Sequence, residues 1–558
     1  MTALLTDNLP LLAVAPNGIK KLRELILELA VRGKLVPQDP NDEPASELLK
    51  RIAEEKSRLV NEGKKLKQQT EISEEEKPFS VPKHWSWIRL GGCLEMINGR
   101  AFKPTEWVAA GLPIVRIQNL NNPDAPFNYC NPETVDNRHV IDTGTILISW
   151  SGTPGTSFGA FIWERGKAAL NQHIFSCFQI GNAFFDKFLK LAINTRLEEL
   201  IAKAHGGVGL QHVTKGKLEA LTLVLPPLAE QHRIVAKVDQ LMALCDRLEA
   251  QQTDAESAHT QLVQSLLDSL TQASDATDFA ANWQRLAEHF HTLFSTESSI
   301  DALKQTLLQL AVMGKLVPQD TNDEPASELL KRIAEEKSRL VAAGELKKQK
   351  SLPEITIEEE PYALPSNWKW VRFDSVSNTR LGKMLDKAKN KGELRPYLRN
   401  TNVQWFNFEV DDLKSMRFEE HELDEYRVIP GDLVICEGGE PGRCAVWQGE
   451  VEDMFIQKAL HRARPWLGIS PFFLQFCLKA AAHSGFLDQF FTGATIKHFS
   501  GEKLAKYPVP LPPLAEQHRI VAKVDQLMAL CDQLKTRLTQ ARQLNEQLAS
   551  TLVEQAVA

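Results

Sequence analysis

The sequence predicts an α+β fold: two mixed α/β domains separated by two long antiparallel coiled-coil helices, with internal pseudo-twofold symmetry. Two repeats are the main reason for this prediction. The 22-residue segment LPPLAEQHRIVAKVDQLMALCD occurs at 225–246 and again, unchanged, at 511–532. A 28-residue segment at 33–60 returns at 314–341 with one substitution. These are called the LPPLAEQ repeat and the GKLVPQD repeat below.

The order of the repeats divides the chain into two equal halves. Each half consists of a GKLVPQD repeat, a region unlike its counterpart, and an LPPLAEQ repeat. When this order is closed into a circle, the chain ends meet and a pseudo-twofold axis relates the halves. We expect this arrangement where one scaffold holds two different inserts and meets the same partner twice.

The GKLVPQD repeat of the first segment, 1–80, is predicted to be helical. In the stretch DEPASELLKRIAEEKSRL, Asn41 or Asp42 is expected to cap a helix and Pro44 to occupy its first turn. The EEK run at 54–56 is superficially similar to a carboxylate-lysine nuclease motif. On a helix, however, its charges form a solvated face with pairs four residues apart.

The LPPLAEQ repeat is predicted to begin one long helix in the central spacer, 225–363, and another in the C-terminal segment, 511–558. Two prolines precede each helix, where an amide hydrogen would have no partner anyway. Apolar residues alternate spacings of four and three over 520–552, with a matching pattern over 234–266. Such a heptad seam needs a partner helix, and the other copy is the natural one. Each rod would be roughly 70 Å long.

The unlike regions, 81–224 and 364–510, are predicted to be one mixed α/β fold used twice. Runs rich in β-branched residues between Gly/Pro turns indicate strands, and one helix is expected near 184–204 and near 471–490. Landmarks recur in the same order in both regions: PKHWSWIRL with PSNWKWVRF, Arg116-x-x-Asn119 with Arg399-x-x-Asn402, GTILISWSGTPG with GDLVICEGGEPG, and Gln172 of ALNQHIF with Gln457 of MFIQKAL.

These landmarks resemble the specificity subunit of type I restriction-modification systems. In that family two variable target-recognition domains alternate with two conserved helical spacers, and each domain ends in a PLPPLAEQ-like start of a long helix. PVPLPPLAEQ at 508–517 fits this pattern closely, as does LPPLAEQ at 225–231. The resemblance covers essentially the whole chain. It implies target-recognition domains at 81–224 and 364–510.

The resemblance also implies a function. It predicts a non-catalytic, sequence-specific DNA-recognition subunit that reads a split target in double-stranded DNA. It would bind two modification subunits, which methylate adenine, and restriction subunits, which are motor-nucleases, would join them. S-adenosylmethionine, ATP and Mg are then expected on the partners, and no cofactor on this chain.

The composition excludes several other classes of protein. No apolar run approaches the roughly 20 residues of a membrane span, and the N-terminal stretch has no signal-peptide pattern. The eight cysteines lack CxxC spacing, which argues against a zinc site or a disulfide framework and fits a reducing cytoplasm. Neither a GxxxxGK[ST] phosphate loop nor an amino-methyltransferase tetrapeptide of the Asn/Asp-Pro-Pro-aromatic type occurs. We therefore predict no catalytic or metal site.

Charge favours DNA contact locally, although the whole chain has a net charge of −7. Region 82–225 has 14 Lys/Arg against 11 Asp/Glu. The stretch 380–399 has seven basic and two acidic residues, as phosphate binding requires. The stretch 409–425 has two basic and eight acidic residues, so we expect it to face away from DNA.

Candidate base readers are amide and guanidinium side chains near the landmarks, because these groups make bidentate hydrogen bonds in the major groove. The landmark residues shared by both domains could instead be structural, and residues that differ between the domains are the better candidates. The candidate DNA-binding residues are Arg116, Gln118, Asn119, Gln172, His173 and Gln211 in the first domain, and Arg380, Lys383, Lys387, Arg399, Asn400, Asn402, Gln457, Lys458 and Lys497 in the second.

Two alternative functions remain open from the sequence. The chain could be a complete single-chain DNA methyltransferase or nuclease, although the motifs for this are missing. It could also be a coiled-coil adaptor without a DNA role. An adaptor would show no salt-dependent affinity for DNA, whereas release of counterions from DNA requires one.

Overall fold

The computed structural model describes residues 12–13, 15–64, 70–152, 158–203, 211–346, 352–386, 388–493 and 495–557. Contacts between Cα atoms divide the chain into two compact units. The first unit is 1–254 with 541–558, and the second is 255–540. Each unit contains one of the unlike regions together with helical scaffold segments.

The first unit begins with two scaffold helices, α1 (Gly18–Val31) and α2 (Ala45–Asn61). The domain that follows contains short helices and one longer helix: α3 (Leu90–Cys93), α4 (Ile117–Asn121), α5 (Asp186–Lys203) and α6 (Lys215–Glu219). Its strands are β1 (Ser86–Arg89), β2 (Leu94–Asn98), β3 (Leu112–Val115), β4 (Asn128–Cys130), β5 (Val140–Ile141), β6 (Ile146–Ser149), β7 (Ser151–Gly152), β8 (Gly159–Ile162), β9 (Ala168–Leu170), β10 (Ile174–Gln179), β11 (Gln211–His212) and β12 (Thr222–Leu225).

The long helix α7 spans Leu228–Thr271, and the second unit continues with helices and a second domain. The helices are α8 (Ala276–Glu288), α9 (Phe290–Leu293), α10 (Glu297–Val312), α11 (Ala326–Ala342), α12 (Phe373–Val376), α13 (Leu423–Tyr426), α14 (Pro471–His483) and α15 (Gly501–Lys506). The strands are β13 (Lys369–Arg372), β14 (Ser377–Leu381), β15 (Glu393–Leu398), β16 (Val403–Gln404), β17 (Asn407–Phe408), β18 (Lys414–Phe418), β19 (Arg427–Val428), β20 (Leu433–Cys436), β21 (Cys444–Val446), β22 (Met454–Ile456), β23 (Leu460–Pro465) and β24 (Pro508–Leu511). The last helix, α16, spans Leu514–Val557.

The two domains have the same strand order, which confirms that one fold is used twice. Each domain has an antiparallel four-stranded sheet, β2-β10-β6-β8 in the first and β14-β23-β20-β21 in the second. Each also has a mixed four-stranded sheet, β4-β3-β9-β5 or β18-β15-β22-β19. Its central pair is parallel in both domains. The predicted helices near 184–204 and 471–490 are α5 and α14, although α14 ends at His483.

A two-stranded sheet connects each domain to its long helix. Strand β1 pairs with β12, and β13 pairs with β24, so the first and last strands of each domain lie side by side. Two prolines follow the last strand, and the long helix then begins at Leu228 or Leu514. Each long helix has 44 residues, close to the predicted length.

A buried carboxylate fixes this junction in the same way in both units. Glu230 accepts a hydrogen bond of 2.9 Å from the indole of Trp85, and Glu516 accepts one of 2.9 Å from Trp368. Both carboxylates are almost fully buried, and burial raises the pKa of each. The glutamates of the two LPPLAEQ repeats therefore hold the first strand region of each domain against the start of its long helix.

One predicted helix cap is wrong. Helix α2 begins at Ala45, with Pro44 at the cap position and no side-chain cap. Asp42 instead forms an ion pair of 2.5 Å with Arg233 of α7. The equivalent pair in the second unit joins Asp323 to an arginine of α16 at 2.6 Å. The carboxylate that the local sequence pattern assigned to a helix cap therefore pairs with a residue that is distant in sequence.

The predicted heptad positions are buried or half-buried over the first part of each long helix. Leu262 of α7 and Leu548 of α16, however, are 53% and 44% exposed, so the predicted seam is wrong toward the helix ends. In the first unit Val238 and Cys245 lie in one apolar core with Ala549 and Ala556. In the second, Cys531 shares a core with residues of the end of α7. The antiparallel coiled-coil pairing of the two helices and the pseudo-twofold symmetry stay predictions. Among the described residues, no helix is long and apolar enough to cross a membrane.

Candidate nucleic-acid interface

Most of the predicted DNA-binding residues follow strand ends in the two domains. In the first domain the parallel strands β3 and β9 end at Val115 and Leu170, which are paired. Arg116 follows one strand, and the turn at 171–173 follows the other. The amide of Asn171 donates a hydrogen bond of 3.1 Å to Val115 O. The turns containing Arg116, Gln172 and His173 are therefore adjacent.

The second domain repeats this geometry and corrects one sequence match. Leu398 of β15 pairs with Ile456 of β22, as Val115 pairs with Leu170 in the first domain. The residue after Ile456 is Gln457, so its counterpart is Asn171, and the match with Gln172 is wrong by one position. Isolated bridges from Arg100 to Asn171 and from Lys383 to Gln457 show the same register. Lys458 is then the counterpart of Gln172.

A third turn joins these two in each domain. In the first, Trp150 donates a main-chain hydrogen bond of 3.4 Å to His173 O, and β7 pairs with β11, which contains Gln211. In the second, Glu437 donates one of 2.8 Å to Ala459 O, and Gly438 bridges to His498, next to Lys497. Gln118 and Asn400 follow Arg116 and Arg399 in the first turn. The structure thus brings most of the predicted readers of each domain together.

The shared asparagines brace their own turns. Asn119 is fully buried, its Oδ1 accepts a hydrogen bond of 3.0 Å from the amide of Arg116, and its Nδ2 donates to Ala125 O. Asn402 is 3% exposed and makes the same 3.0 Å bond with the amide of Arg399. Their amide groups are occupied by main-chain partners, which favours the structural alternative for these two residues.

The remaining candidates differ in how free their side chains are. Gln118, Gln172, Lys458 and Lys497 are exposed. Lys497 lies 3.5 Å from Asp488, and Gln172 contacts His173 at 3.2 Å.

The other candidates have partners within their own domain. Arg399 forms an ion pair of 2.9 Å with Asp412 and holds the pKa of that carboxyl below its usual value. Arg116 lies over Trp107, with 6.0 Å between its guanidinium carbon and the ring centroid. Asn400 donates to Gly438 O at 3.4 Å.

The basic run at 380–399 does not stand alone, contrary to our expectation. Lys383 is 6% exposed and forms ion pairs with both Glu419 and Glu422. Arg380 pairs with Glu425. The hydrogen bond from Lys383 lowers the pKa of Glu419 to about 2. The acidic stretch at 409–425 therefore packs against the basic run and neutralises part of it. Lys387 lies outside the described residues.

Two residues of the candidate interface were missed by the sequence reasoning. Glu437 forms the centre of the joining turn in the second domain, and Trp150 occupies the same place in the first. The signal was present in the aligned stretches GTILISWSGTPG and GDLVICEGGEPG, where these two residues occupy the same column. An aligned position that changes from an indole to a carboxylate within a shared landmark is a candidate for reading different bases.

Comparison with known proteins identifies the family. The family described as type I restriction modification DNA specificity domain matches residues 82–256 and 365–542. The specificity subunit of the type I restriction enzyme EcoAI from Escherichia coli is 38% identical over 567 residues, covering 97% of this chain and 94% of that protein. The EcoEI specificity subunit from Escherichia coli is 36% identical, with 97% and 94% coverage.

A solved structure gives a further likeness. The crystal structure of the HsdS subunit from Thermoanaerobacter tengcongensis is 18% identical, covers 86% of this chain and 98% of that chain, and has a TM-score of 0.43. The family match and the two Escherichia coli relatives are sufficient by themselves. This chain belongs to the type I restriction-modification specificity subunit family, and is a DNA-recognition component rather than a catalytic one.

Proposed function

We propose that this chain reads a split target in double-stranded DNA, with one half-site for each domain, and directs adenine methylation or restriction by its partner subunits. One observation supports this most strongly. The two units share the same scaffold contacts and strand order, yet the turns at the same edge of their domains carry different side chains. A repeated frame with two unlike reading surfaces suits a target with two unlike halves.

The proposed domain limits follow the repeats. They are an N-terminal helical segment at 1–80, the first target-recognition domain at 81–224, the central spacer at 225–363, the second target-recognition domain at 364–510 and the C-terminal helix at 511–558. The long helices α7 and α16 would pair antiparallel and set the distance between the half-sites. Two modules on a common dyad read half-sites separated by roughly one helical turn or a multiple of it.

The proposed contacts are ordered by how free each side chain is. Exposed amides and ammonium groups in the converging turns are the first candidates, namely Gln118, Gln172, Lys458 and Lys497. Amide groups would read base edges and the lysines would contact bases or phosphates. Arg116, His173, Gln211, Arg399, Asn400 and Gln457 lie in the same turns and remain candidates. Asn119, Asn402 and Lys383 would support the turns from inside.

The partners follow from the family. Two modification subunits would bind the two equivalent scaffold surfaces, and restriction subunits would join that core. S-adenosylmethionine, ATP and Mg would then be bound by the partners, and none by this chain. The eight cysteines are buried free thiols, which suits the reducing cytoplasm where we place the complex.

A domain exchange tests the proposal. Residues 81–224 are replaced with the equivalent domain of a relative, the chimera is expressed with its partner subunits, and methylated adenines are mapped in cellular DNA. We expect one half of the target to change completely, while the other half and the spacer length stay as in the wild type. Exchange of 364–510 is the matched control and should change only the other half. If both halves change together, the domains do not read independently.

A further inference from the structure

Residue 437 occupies a main-chain position that is fixed from two sides. The residue follows β20, its amide donates a hydrogen bond of 2.8 Å to Ala459 O, and its carbonyl accepts one of 2.7 Å from the amide of Phe499. Both main-chain groups are therefore taken up by neighbouring turns. Only the side chain can differ without disturbing the turns around it.

The first domain has the same main-chain position with a different side chain. Trp150 follows β6, donates to His173 O at 3.4 Å and accepts from the amide of Val213 at 3.2 Å. By the same strand register, in which Lys458 is equivalent to Gln172, Ala459 is equivalent to His173. One position thus carries an indole in one reading surface and a carboxylate in the other.

The carboxylate of Glu437 is oriented by a neighbour. His498 Nδ1 lies 3.1 Å from Glu437 Oε2, and the side chain of Glu437 is 21% exposed. Lys458, in the adjacent turn, is exposed. Asn400 contacts the main chain of the next residue, Gly438, at 3.4 Å. A partly exposed carboxylate therefore lies in the middle of the turns that hold the candidate readers.

A carboxylate at this place is unfavourable beside DNA phosphates, because like charges repel. It becomes favourable only where it accepts a hydrogen bond from a base. In the major groove a carboxylate can accept from the N4 amino group of cytosine or the N6 amino group of adenine, whereas guanine and thymine present only acceptors there. The N7 acceptor beside the adenine N6 repels a carboxylate, so cytosine is the better partner. The charge that weakens contact with the backbone thus provides selectivity for a base.

We propose that position 437 determines specificity in the second half-site, with the Glu437 carboxylate accepting a hydrogen bond from the amino group of a cytosine. His498 is a positioning residue that aims this carboxylate. Trp150 takes the equivalent place in the first domain and offers an apolar face instead of an acceptor. This inference rests on the proposed function, because it requires the second domain to read bases.

The test uses the full chain assembled with its partner subunits. Glu437→Gln and wild type are each given a DNA library that is randomised in the second half-site, and methylated molecules are sequenced. For the wild type we expect one position that requires cytosine. For Glu437→Gln the preference for cytosine at that position should fall by about tenfold or more. The first half-site and the spacer should stay unchanged.

Three further variants make the test decisive. Glu437→Asp keeps the carboxylate and should keep the preference for cytosine, at lower total methylation. Glu452→Gln removes an exposed acid elsewhere in the same domain and should leave the whole profile unchanged. His498→Gln should reduce the cytosine preference by a smaller factor than Glu437→Gln, because it only loosens the aim of the carboxylate.

The outcomes separate this inference from the function on which it rests. An unchanged profile for Glu437→Gln overturns the inference while the mapped split target still supports the proposed function. Equal loss of methylation on all sequences would also overturn it, because residue 437 would then be purely structural. If the wild type itself shows no sequence preference, the proposed function fails first.

Discussion

The scaffold junctions are alike in the two units, whereas the converging turns of the candidate interface differ. At the junctions the contacts are the same to within a few tenths of an ångström: Glu230 with Trp85 and Glu516 with Trp368 are both 2.9 Å apart. In the turns, equivalent main-chain hydrogen bonds carry different side chains, as at Trp150 and Glu437. Similarity is concentrated where a domain joins its helix, and difference where a ligand would be met.

A second repeated contact supports this division. Arg89 is the last residue of the first strand of one domain, and it donates to Ala220 O at 3.2 Å and to Glu76 at 2.9 Å. Arg372 makes the corresponding bonds to Lys506 O at 2.8 Å and to a glutamate at 2.8 Å. Each arginine ties both ends of its domain to the linker that precedes it. Because these contacts are the same in both units, the converging turns can differ without changing how the scaffold holds each domain.

The largest effect is expected at the buried carboxylates of the junctions. Glu230→Ala leaves the buried indole N–H of Trp85 without a partner and opens a cavity, so we expect a loss of about 2 kcal/mol in the free energy of opening of the first unit. Glu516→Ala should cost the second unit the same amount. Hydrogen exchange measured separately over each unit checks this. Clearly unequal losses would show that the two junctions are not equivalent.

The next effect concerns Lys383, whose ion pairs with Glu419 and Glu422 distinguish the second domain from the first. Lys383→Met leaves Glu419 and Glu422 without their cation, and we expect a loss of about 1.5 kcal/mol in unfolding free energy. The counterpart Arg100 is 28% exposed in its pair with Glu106, so Arg100→Met should cost less. Chemical denaturation of both variants provides the measurement.

DNA binding supplies the contrasting readout for the same lysine. Lys383→Met should leave the salt dependence of binding unchanged, because its ammonium group is already paired. Lys458→Gln should make the slope of log K against log salt less steep by roughly 0.9, which is the contribution of one phosphate contact. If Lys383→Met flattens the slope and Lys458→Gln does not, the assignment of the two lysines is reversed.

The scaffold could be predicted from sequence because its signals are local. Heptad spacing, prolines before each long helix and two near-identical repeats fix where helices begin and how long they are. Contacts distant in sequence were not accessible in this way. Asp42 was assigned to a helix cap, but it pairs with Arg233 of α7 instead. Nothing within a few residues of Asp42 indicates that partner.

The site was predictable only in outline. The recurring landmarks located the stretches in which the converging turns occur, but not the turns themselves. Letter matching aligned Gln172 with Gln457, whereas strand register aligns Gln457 with Asn171. Strand register depends on which backbone groups pair. An alignment by residue identity is therefore misled when the same residue type occurs one position away. The pairing of Lys383 with Glu419 was missed for a similar reason, since 36 residues separate them.

A smaller effect is expected from pH at the repeated arginine clamps. The hydrogen bond from Arg89 lowers the pKa of Glu76 to about 2, and Arg372 does the same to Glu359. A lowered carboxyl pKa contributes stability above its unfolded value, near 4.3, and that contribution is lost as pH falls toward 2. Glu76→Gln and Glu359→Gln should each remove part of the acid sensitivity of unfolding, by equal amounts. Denaturant midpoints between pH 5 and pH 3 measure this, and equal pH dependence in wild type and variants would contradict it.

The smallest effect lies where the two scaffolds differ in charge. In the first unit Arg23 of α1 pairs with Asp246 and Glu249 of α7, both at 2.7 Å. In the second unit Asp301 of α10 pairs with Lys535 of α16 at 2.8 Å. By the repeats, Asp301 corresponds to a lysine in α1, and Lys535 corresponds to Glu249. Lys304, the counterpart of Arg23, keeps its pair with Asp532 at 2.7 Å. Only the charges at positions 20/301 and 249/535 are therefore reversed between the units.

This reversal distinguishes two helices that begin with identical sequences. The LPPLAEQ repeats do not differ before residue 247, so the charge at 249 or 535 is among the first features that a scaffold helix can use to select its own copy. Asp301→Lys places a second cation beside Lys535 and should cost about 0.5 kcal/mol, while the double variant with Lys535→Glu should recover it. A double-mutant cycle by denaturant unfolding measures the coupling, and Lys535→Gln is the neutral control. Recovery without coupling in that cycle would mean that the charges do not select the partner helix.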